Sequence, residues 1–392
     1  MKTVEIGCVV ASVKKWNPKR EGNGAFTYVD ISSIDQHTKT VSEPSSVDAA
    51  EAPSRARQLI AAGDVLVSTV RPNLNAVAYV KQELDGATAS TGYCVLRPHP
   101  SDLDGRYLFH WVRAAPFVAY LVQRATGASY PAVSDKIVKG APIPLPPIEE
   151  QRRIAAVLDA AEALRTKRRQ ALTKLDELPR AVFHEVFGDP VRNERGWPLH
   201  TLRDVCLKIQ IGPFGSLLHK SDYVEGGIPL VNPMHIVGGT IRPHRRQTIS
   251  LQKYAQLEAY CMEVGDVVMG RRGEMGRVAI VGECEAGFLC GSGSLYLRPD
   301  PDSVTSPYIA AALSSARGRR RLENSAQGVT MLNLNSEIVG GFELGLPPIE
   351  LQREFSTTLM AQGELKAGLR GHATALDTLF ASLQQRAFRG EL

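Results

Sequence analysis

The chain has 392 residues, of which 43% are hydrophobic and 22% are charged. This length predicts two domains of ordinary size, and the composition is that of a globular protein. No apolar run approaches the roughly 20 residues that a membrane helix needs, which excludes a membrane span. The formal net charge of +5 permits a polyanionic partner but does not require one.

The N-terminus and the cysteines predict a cytoplasmic, soluble protein. Met1–Ile6 carries charges where a signal peptide would need an apolar stretch, so we expect no export. The six cysteines are scattered, without a C-x-x-C pair or a His-rich companion segment. This spacing favours reduced thiols over a zinc site or a disulfide framework.

The same short strings return in the same order half a chain later. Gly63-Asp64-Val65 returns 202 positions later as Gly265-Asp266-Val267, and Leu96-Arg97-Pro98 returns after 201 positions. Three more matches keep a step of 201, namely Tyr107 with Tyr308, Pro146–Glu149 with Pro347–Glu350, and Leu175-Asp176 with Leu376-Asp377. Five ordered matches predict a duplicated unit of about 200 residues, which is far longer than a solenoid repeat.

Each copy begins with a part rich in Gly, Pro and short β-branched runs, assigned here to residues 1–145 and 191–345. Runs such as Val65–Val67 and Val278–Val281 indicate strands joined by turns. We therefore expect two mixed α/β (α+β) globular domains in a pseudo-symmetric repeat.

The second part of each copy, residues 146–190 and 346–392, has the pattern of one long helix. The residues on one face of each predicted helix, here called its stripe, are spaced alternately three and four positions apart, as in a coiled coil. The stripe positions are Ile154, Val157, Ala161, Leu164, Arg168, Ala171, Leu175, Leu178 and Val182, then Phe355, Thr358, Gln362, Leu365, Leu369, His372, Leu376, Leu379 and Leu383. Neither stripe can face water alone, so we expect the two helices to pack as an antiparallel coiled coil. Pro179 lies inside the pattern and predicts a kink, or a break with a separate short helix after it.

Several motifs resemble those of type I restriction-modification specificity subunits, over essentially the whole chain. Pro-Leu-Pro-Pro-Ile-Glu-Glu-Gln-Arg at 144–152 and Leu-Pro-Pro-Ile-Glu-Leu-Gln-Arg at 346–353 each open a helix, as in that family. The other motifs that carry the resemblance are Gly63–Leu66, Gly127–Pro131, Gly188–Pro190, Gly212–Ser216, Gly265–Val268, Gly328–Met331 and Phe388–Leu392.

The resemblance implies that 1–145 and 191–345 are target-recognition domains, each reading one half of a split, asymmetric site on double-stranded DNA. It implies that the helices of 146–190 and 346–392 are spacers that also seat partners. It further implies that two methyltransferase subunits, which carry S-adenosylmethionine and modify adenine, bind this chain, and that restriction subunits using ATP and Mg join them. This chain would itself hold no cofactor and no metal. By resemblance alone, the partner contacts are Gln151, Arg152, Gln352 and Arg353.

A DNA reader needs Arg and Lys for phosphates and polar loop residues for base edges. In the second copy Arg271, Arg272 and Arg277 lie on a Gly-bearing turn, for which a solvated basic turn is the alternative. The other candidates there are Phe214, Ser216, His219 and Lys220, the cluster of Arg242, Arg245 and Arg246, then Arg319 and Arg320, and Thr330. A charged helix end that favours the macrodipole is an alternative for Arg319 and Arg320. In the first copy the candidates are Arg71, Asn73 and Asn75, which occupy the place of the Arg271 loop, and Ser129 with Tyr130.

Catalytic motifs are missing from the sequence. A methyltransferase would need a glycine-rich cofactor loop and an Asn- or Asp-Pro-Pro-aromatic motif, and neither is present. Pro299–Asp302 lacks the Glu-x-Lys of a nuclease, and no Gly-Lys-Ser/Thr marks a P-loop. We therefore expect a binding protein without catalysis. The alternative is a helical assembly scaffold without DNA specificity of its own, which would lack the steep salt dependence of a DNA reader.

Overall fold

The computed structural model describes residues 2–273, 275–327 and 333–392. The chain forms two compact units, one of Met1–Gln170 with Gly371–Leu392 and one of Ala171–Arg370. Each unit therefore contains one globular part and a segment of both long helices. Among the described residues, no helix is both long enough and apolar enough to cross a membrane.

Short strands dominate the globular part of the first unit. In chain order the elements up to the end of the first long helix are β1 (Thr3–Glu5), β2 (Val10–Ala11), α1 (Pro18–Glu21), β3 (Ala25–Val29), β4 (Ile34–Asp35), β5 (Thr40–Val41), β6 (Ser45–Asp48), β7 (Ala56–Leu59), β8 (Val65–Ser68), β9 (Val77–Tyr79), β10 (Thr88–Ser90), β11 (Tyr93–Pro98), α2 (Gly105–Trp111), α3 (Ala115–Arg124), α4 (Asp135–Lys139), β12 (Pro142–Pro144) and α5 (Ile148–Phe187).

The globular part of the second unit has a similar order, with its short helices and one strand placed differently. Its elements, followed by the second long helix, are β13 (Leu199–Thr201), α6 (Leu202–Val205), β14 (Cys206–Ile211), β15 (Tyr223–Val224), β16 (Ile228–Val231), β17 (Ile236–Val237), β18 (Thr240–Ile241), β19 (Thr248–Ile249), α7 (Leu251–Gln256), β20 (Val267–Gly270), β21 (Val278–Ile280), β22 (Leu289–Cys290), β23 (Ser294–Pro299), α8 (Ser306–Ser314), α9 (Ala316–Ser325), α10 (Ser336–Gly340), β24 (Glu343–Gly345) and α11 (Ile349–Arg389).

The sheet topology of the two units confirms the duplication. The first unit has sheets of order β6-β3-β10-β7 and β2-β11-β8-β9, and the second has β15-β19-β16-β22 and β14-β23-β20-β21. The β3–β10 pair is parallel, as is its counterpart β16–β22. In each unit a two-stranded antiparallel pair, β1–β12 or β13–β24, joins the start of the globular part to the residues just before a long helix.

Apolar runs form the inner strands of these sheets. Every residue of β8 and of β20 is buried, and each of these strands has a neighbour on both sides. Continuous apolar runs such as Val65-Leu66-Val67 are typical of strands covered on both faces. One face of β8 packs in a core with α2, α3 and Ile154 and Leu158 of α5, so the helix begins as part of the core of its unit.

The long helices pack antiparallel within each unit, as expected. In the first unit Arg165 of α5 pairs with Asp377 of α11 at 2.7 Å, and Arg153 donates to the Leu392 carbonyl at 2.6 Å. In the second unit Lys366 of α11 contacts Asp176 of α5, and Phe355 packs on Phe187. The predicted mixed α/β (α+β) domains with paired helices are therefore confirmed.

About half of the positions predicted to pack against the other long helix are wrong by one residue. Every seventh residue, such as Ile154, Ala161 and Leu175, is buried or half-buried as expected. The residues that face the other long helix form the seam between the two helices. Between the positions just named, the seam residues lie one position further along the chain than predicted, whereas Leu164 is 55% exposed and Leu178 is 40% exposed. The seam positions in question are Leu158, Arg165, Leu172 and Pro179 on α5, and Leu359, Lys366, Ala373 and Phe380 on α11.

Two of these seam positions carry charge, which explains the error at Leu164 and Leu365. Arg165 and Lys366 occupy the seam because each faces an aspartate of the other helix in its own unit. A neighbouring residue is rotated by about 100° on a helix, so the apolar pattern alone chose the wrong neighbour.

Pro179 does not break α5, which continues to Phe187. The expected break with a separate short helix was therefore wrong. A proline lacks the N–H that would bond the carbonyl four residues earlier, here that of Leu175. The Nε2 of Gln362 on α11 donates to this carbonyl. The partner helix thus supplies the donor that Pro179 lacks.

Candidate nucleic-acid interface

In both units the loop after the inner strand lies beside the loop that leads to a short helix. In the first unit Ala132 forms β-bridges with Val70 and with Thr126, and in the second Asn333 forms them with Arg272 and with Gln327. We call residues 70–76 with 126–133 the first loop pair. The second loop pair consists of residues 271–273 and 275–277 with residues 326–327 and 333–334. The predicted site residue Thr330 lies outside the described residues.

The first loop pair brings together candidates that are far apart in sequence. The Arg71 N–H donates to the Pro131 carbonyl at 2.7 Å, and the Arg71 guanidinium carbon lies 4.5 Å from the centre of the Tyr130 ring. Arg71, Asn73, Ser129 and Tyr130 are all exposed. This side of the unit therefore presents a cation, an aromatic ring and small polar groups at one place.

Asn75 anchors the first loop pair to the rest of its unit. Its Nδ2 donates to the Val112 carbonyl at 3.0 Å, and its own carbonyl accepts from Lys39 Nζ. Burial lowers the pKa of Lys39 to about 8, with a further lowering by Arg113. The Asn75 amide is thus engaged with the end of α2, and its role in contacting a base stays a prediction.

Arg271 anchors the second loop pair. It is only 4% exposed, and its guanidinium donates to the Ser292 carbonyl at 3.0 Å, to Asn333 Oδ1 at 2.8 Å and to the Leu334 carbonyl at 3.1 Å. Burial, together with Arg272, lowers the pKa of Arg271. These bonds hold both loops together, so Arg271 positions its neighbours.

Exposed arginines surround this anchored loop. Arg272 is exposed, and Arg277 donates to the Pro233 carbonyl at 3.4 Å. Arg319 of α9 packs on the loop, since a Cβ at Gly276 would lie 2.1 Å from its Cγ. Arg320 follows it and is also exposed. The second loop pair and α9 therefore form one basic surface.

Two other groups of candidates in the second unit are exposed but lie in separate segments. Phe214 is 61% exposed, and the neighbouring Ser216, His219 and Lys220 are exposed as well. Arg242, Arg245 and Arg246 are exposed between β18 and β19. The described contacts do not join either group to the second loop pair.

The two glutamines predicted to contact partners are buried within their units. Gln151 Oε1 accepts from the Asp104 N–H at 2.9 Å, and its Nε2 donates to the carbonyls of Asp102 and Pro146 at 2.9 Å each. Gln352 repeats this with the Thr305 N–H at 2.9 Å and the Pro347 carbonyl at 2.8 Å. The identical spacing of the motif in both copies reflects this shared packing role.

The arginines that follow these glutamines are exposed. Arg152 pairs with Glu149 at 2.7 Å, and Arg353 donates to the Pro301 carbonyl at 3.4 Å. Their contact with a partner protein stays a prediction, as does that of the glutamines.

An ionic network in the first unit was missed by the sequence analysis. Asp159 of α5 accepts from both Arg106 and His110 of α2, the latter at 2.7 Å. Arg113 pairs with Glu162 of α5 at 2.7 Å. Burial disfavours the Asp159 carboxylate, but the bonds from His110 and Arg106 outweigh it and lower its pKa to about 2. The spacing of Arg106 and His110 by four residues was the available signal.

The first part of the chain matches a known domain. Residues 10–174 match the family model described as the type I restriction modification DNA specificity domain. The MjaIX specificity subunit of Methanocaldococcus jannaschii is 25% identical over 193 residues, which are 45% of this chain and 43% of that protein. The MjaVIII specificity subunit of the same organism is 23% identical over 283 residues, 66% of this chain and 63% of that protein. The chain thus spans about half the length of these curated relatives.

Solved structures resemble the chain over its whole length. A chain from a structural study of assembly and conformational transition in a type I restriction-modification system has a TM-score of 0.68 and 27% identity, covering 100% of this chain and 98% of that one. The HsdS subunit of Thermoanaerobacter tengcongensis has a TM-score of 0.50 and 29% identity, covering 100% and 97%. In its duplicated fold and in the domain matched by its first part, the chain is therefore similar to type I restriction-modification specificity subunits.

Proposed function

We propose that this chain is the sequence-specific DNA recognition subunit of a type I restriction-modification complex. Each globular part would read one half of a bipartite, asymmetric site on double-stranded DNA. One observation carries the proposal: the same backbone arrangement of two loops recurs in both units with different exposed side chains. The first loop pair presents Arg71 and Tyr130, and the second presents Arg272. Equal frameworks with unequal side chains are suited to two unequal half-sites.

The long helices are suited to act as spacers. α5 has 40 residues, and at about 1.5 Å per residue it is about 60 Å long. Successive equivalent grooves on one face of B-DNA are about 34 Å apart. A rod of this length can hold two readers at a fixed separation.

The proposal includes partners that carry out the chemistry. Two methyltransferase subunits with S-adenosylmethionine, and two restriction subunits that use ATP and Mg, would assemble on this chain, which would act in the cytoplasm. The chain would contribute no catalytic group, since its sequence lacks the required motifs. The match to a DNA specificity domain favours this function over a scaffold without DNA specificity.

The test is to co-express the chain with its methyltransferase subunit and map methylated adenines across the genome. We expect two short blocks of defined sequence around a fixed spacer. Omitting the chain should abolish this methylation. If the same adenines were still methylated without it, the scaffold alternative would be favoured.

A further inference from the structure

We propose that Arg71, stacked on Tyr130, reads a guanine in the half-site of the first unit. This inference rests on the proposed function and adds to it a base and the residues that recognise it. Arginine is the residue that most often makes a bidentate contact with the O6 and N7 atoms of guanine in the major groove.

The backbone of Arg71 is held on both sides. Before it, Val70 bridges Ala132 across the first loop pair. Arg71 itself has a left-handed conformation with φ of 50°. After it, the 3₁₀ turn Pro72–Leu74 ends at Asn75, which is tied to α2 and to Lys39. A side chain that recognises a base needs a fixed backbone position, because a small displacement would break its hydrogen bonds to the base edge.

The side chain of Arg71 is oriented but has no competing partner. Its guanidinium lies over the Tyr130 ring at 4.5 Å, and Tyr130 is 68% exposed. Among the described residues, no carboxylate forms an ion pair with Arg71, whereas Arg113, just after α2, is paired with Glu162. Stacking restricts the side chain while leaving the N–H edge of the guanidinium free for hydrogen bonds. A phosphate contact would need no such orientation.

The sequence of the second unit has no arginine at the position that corresponds to Arg71. At the step of 202 that relates Gly63 to Gly265, the counterpart of Arg71 is Gly273. The bridges of Val70 and Arg272 to equivalent partners support this alignment. We therefore expect loss of Arg71 to relax one position in one half-site only.

The experiment measures binding of the methyltransferase complex to duplex DNA that carries the mapped site, and to duplexes with each half-site base pair changed in turn. Arg71→Ala should reduce discrimination at one G·C position by about 5- to 150-fold. Tyr130→Ala should affect the same position by a smaller factor, and Tyr130→Phe should restore wild-type discrimination because the ring is retained. Arg124→Ala is the matched control, since Arg124 stacks on Tyr120 at 3.7 Å on α3, outside the loop pair.

Three results would overturn the inference. The first is a uniform loss of affinity across all duplexes with a salt slope lower by about 0.9, which would indicate a phosphate contact. The second is unchanged discrimination in Arg71→Ala, with the wild-type complex still reading a bipartite site, which leaves the proposed function intact. The third is a Tyr130→Ala variant with wild-type discrimination at that position, which would show that the Tyr130 ring does not orient Arg71. A wild-type complex that reads no bipartite site would overturn the proposed function as well.

Discussion

A buried glutamine joins each long helix to its globular part. These residues, Gln151 and Gln352, lie in the Pro-Pro-Ile-Glu-x-Gln-Arg motif that occurs in both copies. Gln151 makes hydrogen bonds at 2.9 Å to the backbone of Asp102, Asp104 and Pro146. Because its side chain makes these hydrogen bonds within the unit, Gln151 should stabilise the folded chain.

Replacement of Gln151 by Ala should lower the free energy of unfolding by about 1–3 kcal/mol, because it leaves a buried Pro146 carbonyl without a donor. Urea denaturation of the purified chain measures this. Arg152→Ala is the control and should change stability by less than about 0.5 kcal/mol, since Arg152 is exposed. Equal effects of both changes would contradict the packing role.

His110 should make the stability of the first unit sensitive to acid. Burial lowers the pKa of His110 below its ordinary value of about 6.5, although its bond to Asp159 opposes this shift. The unfolded chain then binds more protons than the folded chain below that pH, so stability falls as the pH falls through about 6.5. Arg106 and Arg113 face the same site and add to the lowering.

The comparison variant is His110→Gln, which retains a donor for Asp159 but does not titrate. As the pH falls from about 7.5 to about 5.5, the wild type should lose stability relative to this variant. Denaturation curves at several pH values measure the difference. A difference that stays constant over this range would show that His110 does not titrate differently on folding.

At the scale of elements, one cross-helix bond compensates for a proline. Gln362 of α11 donates to the Leu175 carbonyl that Pro179 leaves without an N–H donor. This bond also selects one register of the two helices within the second unit, because Gln362 meets the defect at only one alignment.

A double-mutant cycle tests this pairing. Gln362→Leu alone should destabilise the chain by about 1–3 kcal/mol, since it leaves a backbone carbonyl unsatisfied. In a Pro179→Ala background the restored N–H serves that carbonyl, so the same change should cost about 1 kcal/mol less. Thermal or urea unfolding gives the four values. Additive effects would mean that the glutamine and the proline act independently.

At the scale of the whole molecule, the two units are similar folds that attach to their helices by partly different chemistry. Both use aromatic contacts, since Tyr107 packs on Phe388 in the first unit and Tyr308 packs on Phe187 in the second. In the first unit, ion pairs of Arg106 with Asp159 and of Arg113 with Glu162 also join α2 and the residues just after it to α5. The duplicated halves have thus diverged in their packing as well as in their loops.

The exposed cluster of Arg242, Arg245 and Arg246 in the second unit should contribute to the salt dependence of DNA binding. Replacing Arg242, Arg245 and Arg246 together by Ala should lower the slope of log K against log salt by up to about 2.7, if each neutralises one phosphate. Affinity should fall similarly for all sequences, because phosphate contacts carry no base information. Titrations at several salt concentrations measure the slope. A slope equal to that of wild type would place these arginines away from the DNA.

The sequence by itself determined the duplication, the mixed α/β class and the antiparallel long helices, because each depends on local patterns that recur along the chain. Tertiary structure decided which side chains do which work. Arg271 and Asn75 are predicted DNA contacts, and the fold shows that both also make hydrogen bonds that hold their loops in place. Arg165 lies between the two helices, where it pairs with Asp377. The partner of a polar side chain is distant in sequence, as Gln362 is from Leu175, so only the fold brings the two together.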